Sequence, residues 1–483
     1  SNLSITDTGG VSLAAVEAVD TTILDITDCE IHGLSSGSFV SSKFSNSKFV
    51  SGPGINACFQ GSASGVTFSD CEISPTDATD VGLAITSGTD IQITGCAFNV
   101  PSDGASIVLS GSASGSITDC TFDQASTAGG TTGVGIDATD VVNLSIHGCS
   151  FVDTDYAVYV WEATGLSIVG CHVTCAAGRG RSGFTTATTS GGAPATPSWD
   201  NINISACTFR ALSDTSVATI VGIDCAAAVA DPAQDVSITN CLIQSLGDLS
   251  LGNTNTYGIR LRTTGVVSTS SFINAKVADC DVNVLAGSSL NIGIEIQHAY
   301  NVLCTGNLLS NIGVASVGAT IAKAVLATQC SGLVVSHNSI SVVGSTSASL
   351  TGGVIHVGGN GQTAQQSSIV VASNTMQYLR CASGLRGIYI EDNAKYVSIN
   401  GNTIDDASAE LSTGIFVGPE INADSVDLGM FSISSNIIEG CSTGIFVVMD
   451  DPAVSLKEGA VSITGNTLSN FRSTGVYVEG YDG

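Results

Sequence analysis

The chain has 483 residues, of which 43% are hydrophobic and only 12% charged, a length that by itself suggests two or three domains. Fourteen Lys and Arg against 42 Asp and Glu leave a net charge of −28, which disfavours nucleic acid and anionic membranes as partners. No apolar run reaches the roughly 18 residues needed to cross a bilayer, so membrane insertion is not expected; no signal peptide is visible, which leaves export undecided.

In chain order, one phrase recurs sixteen times: apolar-x-apolar-x-x-(Cys/Asn)-x-apolar. It begins at Leu24-Asp25-Ile26-Thr27-Asp28-Cys29-Glu30-Ile31 and ends at Val461-Ser462-Ile463-Thr464-Gly465-Asn466-Thr467-Leu468. The sixth position falls on Cys29, Ser47, Cys71, Cys96, Cys120, Cys149, Cys171, Cys207, Cys241 and Cys280, then on Asn307, Asn338, Asn374, Asn402, Asn436 and Asn466. Neighbouring copies lie 18 to 39 residues apart. A strand-rich repeat of that length reads as a solenoid, in which each coil needs its neighbours to bury its apolar face. The expectation is therefore one elongated domain over 1–483, about 16 coils at roughly 4.8 Å each.

Two strand signals are legible per repeat. In the last copy Val461 and Ile463 point inward with Ser462 and Thr464 outward, a period of two. A second strand of the form Gly-apolar-x-apolar follows, as at Gly258, Gly293, Gly387, Gly414, Gly444 and Gly475. Nine of the sixteen cysteines share the sixth position, which implies a buried column of thiols rather than a disulfide framework. Stacked Asn at the same position can bond the amide of the next coil. The irregular stretches 176–200 and 244–256 read as insert loops, with Arg179, Arg181 and Trp199 as candidate walls of a cleft.

These phrases resemble the right-handed parallel β-helix superfamily of pectin lyases, polygalacturonases and phage tailspikes over almost the whole chain. The resemblance implies an all-β, single-stranded right-handed parallel β-helix with a Cys/Asn ladder. It does not single out an activity, because that superfamily hosts lyases, hydrolases, epimerases, adhesins and passive spacers. The Gly-His-Gly and Arg-Ile-Lys signatures that polygalacturonases would imply are absent. Both ends look cut within a repeat, as in a segment of a longer polypeptide.

Alternation along the second strand makes its outward residues readable. They include Tyr159 and Trp161, Asp224, Arg260 and Arg262, Glu295 and Gln297, His356, Tyr389 and Glu391, then Phe416, Phe446 and Tyr477. The coil around Lys323 is too irregular to place. Aromatic faces stack on sugar rings, and carboxylates or guanidinium groups bind hydroxyls, so Tyr159, Trp161, Arg260, Arg262, His356, Tyr389 and Glu391 are the candidate substrate-binding set. Glycoside hydrolysis needs two carboxyls; Asp224 and Glu295, two coils or about 10 Å apart, are the catalytic candidates. No cofactor is required, although the acidic pairs Asp405-Asp406, Asp450-Asp451 and Glu391-Asp392 could hold Ca²⁺.

Two readings follow. One is a tailspike-like protein of the extracellular space or virion surface that recognises, and in its catalytic form depolymerises, a cell-surface polysaccharide, more readily neutral than anionic. The other is a non-catalytic adhesin or spacer whose Phe416, Phe446 and Tyr477 mediate contact between copies, three-fold by resemblance.

Overall fold

The computed structural model describes residues 2–6, 12–51, 56–77, 79–101, 104–125, 133–175, 180–186, 199–213, 219–228, 232–247, 255–264, 272–313, 321–349, 352–358, 366–377, 379–391, 394–406, 411–418, 429–448 and 460–479. Every regular element among them is a β-strand, and every strand pair with a described register runs parallel. The chain forms two compact units: Ser1–Val217 with Gly222–Ala226, and Ala218–Val221 with Ala227–Gly483.

Most of the described coils carry three strands rather than the two legible from the repeat. In the last two coils of the second unit, Phe431–Ser434 pairs with Val461–Thr464, Ile437–Glu439 with Thr467–Ser469, and Thr443–Val448 with Thr474–Glu479. The middle strand spans three residues, too short to show a period of its own. The register keeps like over like: Ile399, Ile433 and Ile463 share one inward column, and Ser398, Ser432 and Ser462 one outward column. Inward Ile, Val, Leu and Phe form the core of each unit. In the first unit Phe98, Phe122 and Phe151 stack at 4.8 and 4.6 Å, close to the strand spacing.

The bend between the first and middle strands has one backbone solution. The residue before each ladder position has positive φ in all sixteen copies, from Asp28 (56°) and Asn46 (46°) to Ser435 (56°) and Gly465 (63°). Six of these residues are Gly and six are Asp or Asn, the types that tolerate the left-handed region. That bend turns the ladder side chain inward.

The ladder then satisfies itself by two chemistries. Asn374 Nδ2 and its backbone N–H both donate to Asn402 Oδ1, at 2.9 and 3.0 Å, and Asn402 makes the same pair of bonds to Asn436. Each Asn amide also donates to a core-strand carbonyl, as Asn402 Nδ2 does to Val371 O at 2.9 Å. The cysteines instead direct weak S–H donors at carbonyls, Cys149 Sγ lying 3.4 Å from His147 O and 3.6 Å from Ile117 O. All fifteen cysteines with described side chains are buried thiols.

Candidate functional site

The outward positions of the third strand form one file in each unit. In the second unit, register places Arg260, Glu295, Leu326, His356, Tyr389, Phe416, Phe446 and Tyr477 over one another. In the first, Val108, Asp137, Tyr159 and Thr185 do the same. Of the residues nominated from sequence, Tyr159, Trp161 and Asp224 therefore belong to the first unit. Arg260, Arg262, Glu295, His356, Tyr389 and Glu391 belong to the second. Each group is described within its own unit.

The file is enclosed where an open face was expected. Asp224, Glu295, His356, Tyr389 and Glu391 are all buried, while Tyr159, Arg260 and Arg262 are half-buried. Trp161 is buried too, because its strand ends at Val160 and the alternation that pointed Trp161 outward stops there. Trp199 opens the strand Trp199–Ser205 opposite Ala163 and is buried, not a cleft wall. Arg181 is half-buried; Arg179 and Asp392, Asp450 and Asp451 lie outside the described residues.

Rings in the file cover one another. His356 lies 4.6 Å from Tyr389, Tyr389 is 5.2 Å from Phe416, Phe416 is 5.2 Å from Phe446 at 7°, and Phe446 is 4.8 Å from Tyr477 at 20°. The Arg386 guanidinium sits over both Tyr389 and Phe416, 4.1 and 4.0 Å from their centroids. Phe416 and Phe446 therefore show edges, not faces, to the surroundings.

At one end of this stack three ionisable side chains meet. Lys323 Nζ is 2.6 Å from His356 Nδ1, and His356 Nε2 is 2.6 Å from Glu391 Oε2. A protonated Lys can only donate, so Nδ1 accepts and Nε2–H donates to the carboxylate, which sets the tautomer. Glu391 Oε1 is enclosed and has no hydrogen-bond partner. The space for this line is left by glycine. A Cβ at Gly352 would stand 3.0 Å from both His356 Nδ1 and Lys323 Cε, and one at Gly358 would stand 2.8 Å from His356 Nε2.

Glu295 is engaged otherwise. Arg260 Nε donates to its Oε2 at 2.7 Å and Gln297 Nε2 to its Oε1 at 2.8 Å, with Arg260 also 4.3 Å over the Tyr257 ring. Both carboxylate oxygens are thus used in binding neighbours. Asp406 is wholly buried, and its Oδ2 accepts from the Leu411 N–H. Among the described residues no three His, Cys, Asp or Glu side chains converge.

In the first unit Tyr159 meets Tyr156 edge to face at 5.6 Å, beside Asp137 in the next coil. Burial pushes the Asp137 carboxyl up to about 6, and its Oδ1 is enclosed without a partner. Sequence reading missed Asp137, although Gly135-Ile136-Asp137-Ala138 fits the second-strand phrase. It missed Lys323 because Ala324 stands where most coils have Gly, the Gly293 Cβ position meeting the Ala324 carbonyl.

Residues 1–133 match the family model described as right handed beta helix region. No curated protein sequence matches the chain. Among solved structures, the mannuronan C-5 epimerase AlgE6 A-module of Azotobacter vinelandii is 12% identical, with a TM-score of 0.36 over 90% of this chain and 91% of that one. PfbA, a surface adhesin of Streptococcus pneumoniae, is 13% identical, with a TM-score of 0.37 over 92% and 85%. The catalytic domain of a GH87 α-1,3-glucanase is 10% identical, with a TM-score of 0.28 over 70% and 64%. At these values the likeness is one of general form, and no residue role is taken from it. With the parallel register continuing coil by coil beyond residue 133, the fold is that of the right-handed parallel β-helix superfamily.

Proposed function

We propose that the third-strand face of the second unit binds a polysaccharide, and that Lys323, His356 and Glu391 form its acid–base centre. The observation that carries this is the burial of three ionisable groups in line across successive coils. A purely structural sheet would be as stable or more so with apolar residues there, since desolvating such groups costs several kcal/mol each. Buried clusters of ionisable groups concentrate at functional sites. Lys323 Nζ and His356 Nδ1 stand within proton-transfer distance, with Glu391 Oε2 accepting from His356 Nε2–H. The net charge of −28 favours a neutral glycan, or an anionic one bridged by a cation. A surface-glycan ligand fits a protein of the extracellular space or of a virion surface. The Asp224–Glu295 pairing is the weaker catalytic candidate, because Arg260 and Gln297 already occupy both Glu295 oxygens.

One observation favours the non-catalytic adhesin as the second reading: both His356 ring nitrogens are engaged, and the Phe416 and Phe446 faces are covered. A panel of neutral and acidic polysaccharides, read for new reducing ends and for the absorbance of unsaturated sugars, separates the two. The expected result is cleavage of at least one polymer, with Glu391→Gln slowing it about 100-fold or more while binding changes less than about threefold. Binding without cleavage selects the adhesin; no binding at all removes the glycan reading. Light scattering on the same samples shows whether copies associate through the ring edges, three-fold or otherwise.

A further inference from the structure

The ladder of the first unit contains a run without interruption: Cys71, Cys96, Cys120, Cys149, Cys171 and Cys207, preceded by Ser47. Backbone bonds place these six over one another. The Ala97, Thr121, Ser150, His172 and Thr208 amides donate to the Cys71, Cys96, Cys120, Cys149 and Cys171 carbonyls at 2.8–2.9 Å. Their sulfurs share one pose, each Sγ lying 3.3–3.7 Å from the carbonyl two residues before it. All six are buried.

Successive strands of a sheet stand about 4.8 Å apart, and a metal–thiolate bond is about 2.3 Å, so one ion on the line between neighbouring sulfurs spans the gap with two bonds. A line offers two ligands per gap, which excludes the tetrahedral arrangement that Zn²⁺ requires. Thiol sulfur selects soft ions such as Cu(I) over hard ones. Charge points the same way. A monovalent ion between one thiolate and one thiol is neutral, which an apolar interior flanked by Phe98, Phe122 and Phe151 tolerates. A divalent ion there would need both thiols deprotonated to be neutral.

We propose that this six-thiol file binds soft monovalent cations of the Cu(I) and Ag(I) class, each held linearly between thiols of successive coils. The Cys S–H bond breaks, the sulfur keeps the electron pair and bonds the metal, and one proton leaves to solvent per ion. No electron is transferred. Six thiols taken in pairs hold three ions in the first unit; Cys241 and Cys280, adjacent in the second unit, add one. The Asn column from Asn307 onward adds none.

The test uses the full chain titrated anaerobically with Ag(I), and separately with Cu(I) supplied as an acetonitrile complex. Native mass spectrometry reads stoichiometry, ultraviolet charge-transfer absorbance reads thiolate–metal bonds, and a pH-stat reads protons. About four ions per chain, one proton each, an unchanged β circular dichroism spectrum and a raised melting temperature are expected. Cys120→Ser with Cys149→Ser should lose at least one ion, while Cys330→Ser, at a buried thiol off the column, should lose none. Serine is tolerated in this column, since Ser47 already occupies it, bonding Ser45 O at 2.8 Å. Uptake only after the β signal collapses, or a stoichiometry that the Cys120→Ser/Cys149→Ser variant does not lower, overturns the proposal.

Discussion

At the scale of single residues, the bends and the enclosed carboxyls carry the cost of this design. Ala206 adopts φ of 54° at a position where twelve of the sixteen copies use Gly, Asp or Asn. The left-handed region costs a β-carbon residue about 1–2 kcal/mol, partly offset by the larger unfolded-state entropy of glycine. Ala206→Gly should therefore stabilise the first unit by about 0.5–1 kcal/mol, read as a shift in denaturant midpoint. Asp137 is the second case. Its native carboxyl, near 6, lies above the ordinary value, so the native state keeps a proton that the unfolded chain releases between about pH 4 and 6. Stability contributed by that proton is present below about pH 4 and is lost as pH rises through about 6. Asp137→Asn should raise stability by about 1–2 kcal/mol at pH 7 and have little effect near pH 4. A melting-temperature gap that is the same at both values would show that burial is not the cause.

At the scale of the element, the ladder shows how one position is filled by two chemistries. An Asn column exchanges two bonds with each neighbouring coil, so a single deletion leaves donors of the coil before without an acceptor. Asn402→Ala removes the acceptor of both the Asn374 side-chain and backbone donors, in a fully buried site. The expected loss is about 2–4 kcal/mol, against about 1 kcal/mol for Asn466→Ala, where the same pair of bonds is accepted from Asn436 but the site is half-buried, so water can replace the lost acceptor. Equal losses at the two sites, measured by urea unfolding, would argue against cooperative stacking. The third strand adds a different lesson. Its outward file was readable as a list, Arg260 to Tyr477, but alternation says only that a side chain leaves the core. Whether it then meets water or another side chain depends on the neighbouring coils. Tyr389 is enclosed by His356, Phe416 and Arg386, each contributed by a different turn of the chain or by an adjoining column.

At the scale of the whole chain, the periodic phrase determined by itself that coils stack in parallel and that equivalent residues share a column. Those are consequences of local alternation and of a bend that only a left-handed residue can make, and both are written within eight residues. The Cys and Asn ladders, the inward Ile columns and the place of His356 and Tyr389 in one outward file were legible for that reason. Only the tertiary structure decided the rest. It joined Lys323 to His356 through space that Gly352 and Gly358 leave open, gave both oxygens of Glu295 to Arg260 and Gln297, and turned Trp161 and Trp199 inward at strand ends. The Lys323–His356 and Arg260–Glu295 contacts join residues more than thirty positions apart. The period read along the chain names which residues share a column, but not which side chains of neighbouring coils then bond, because that is set by how one coil packs on the next.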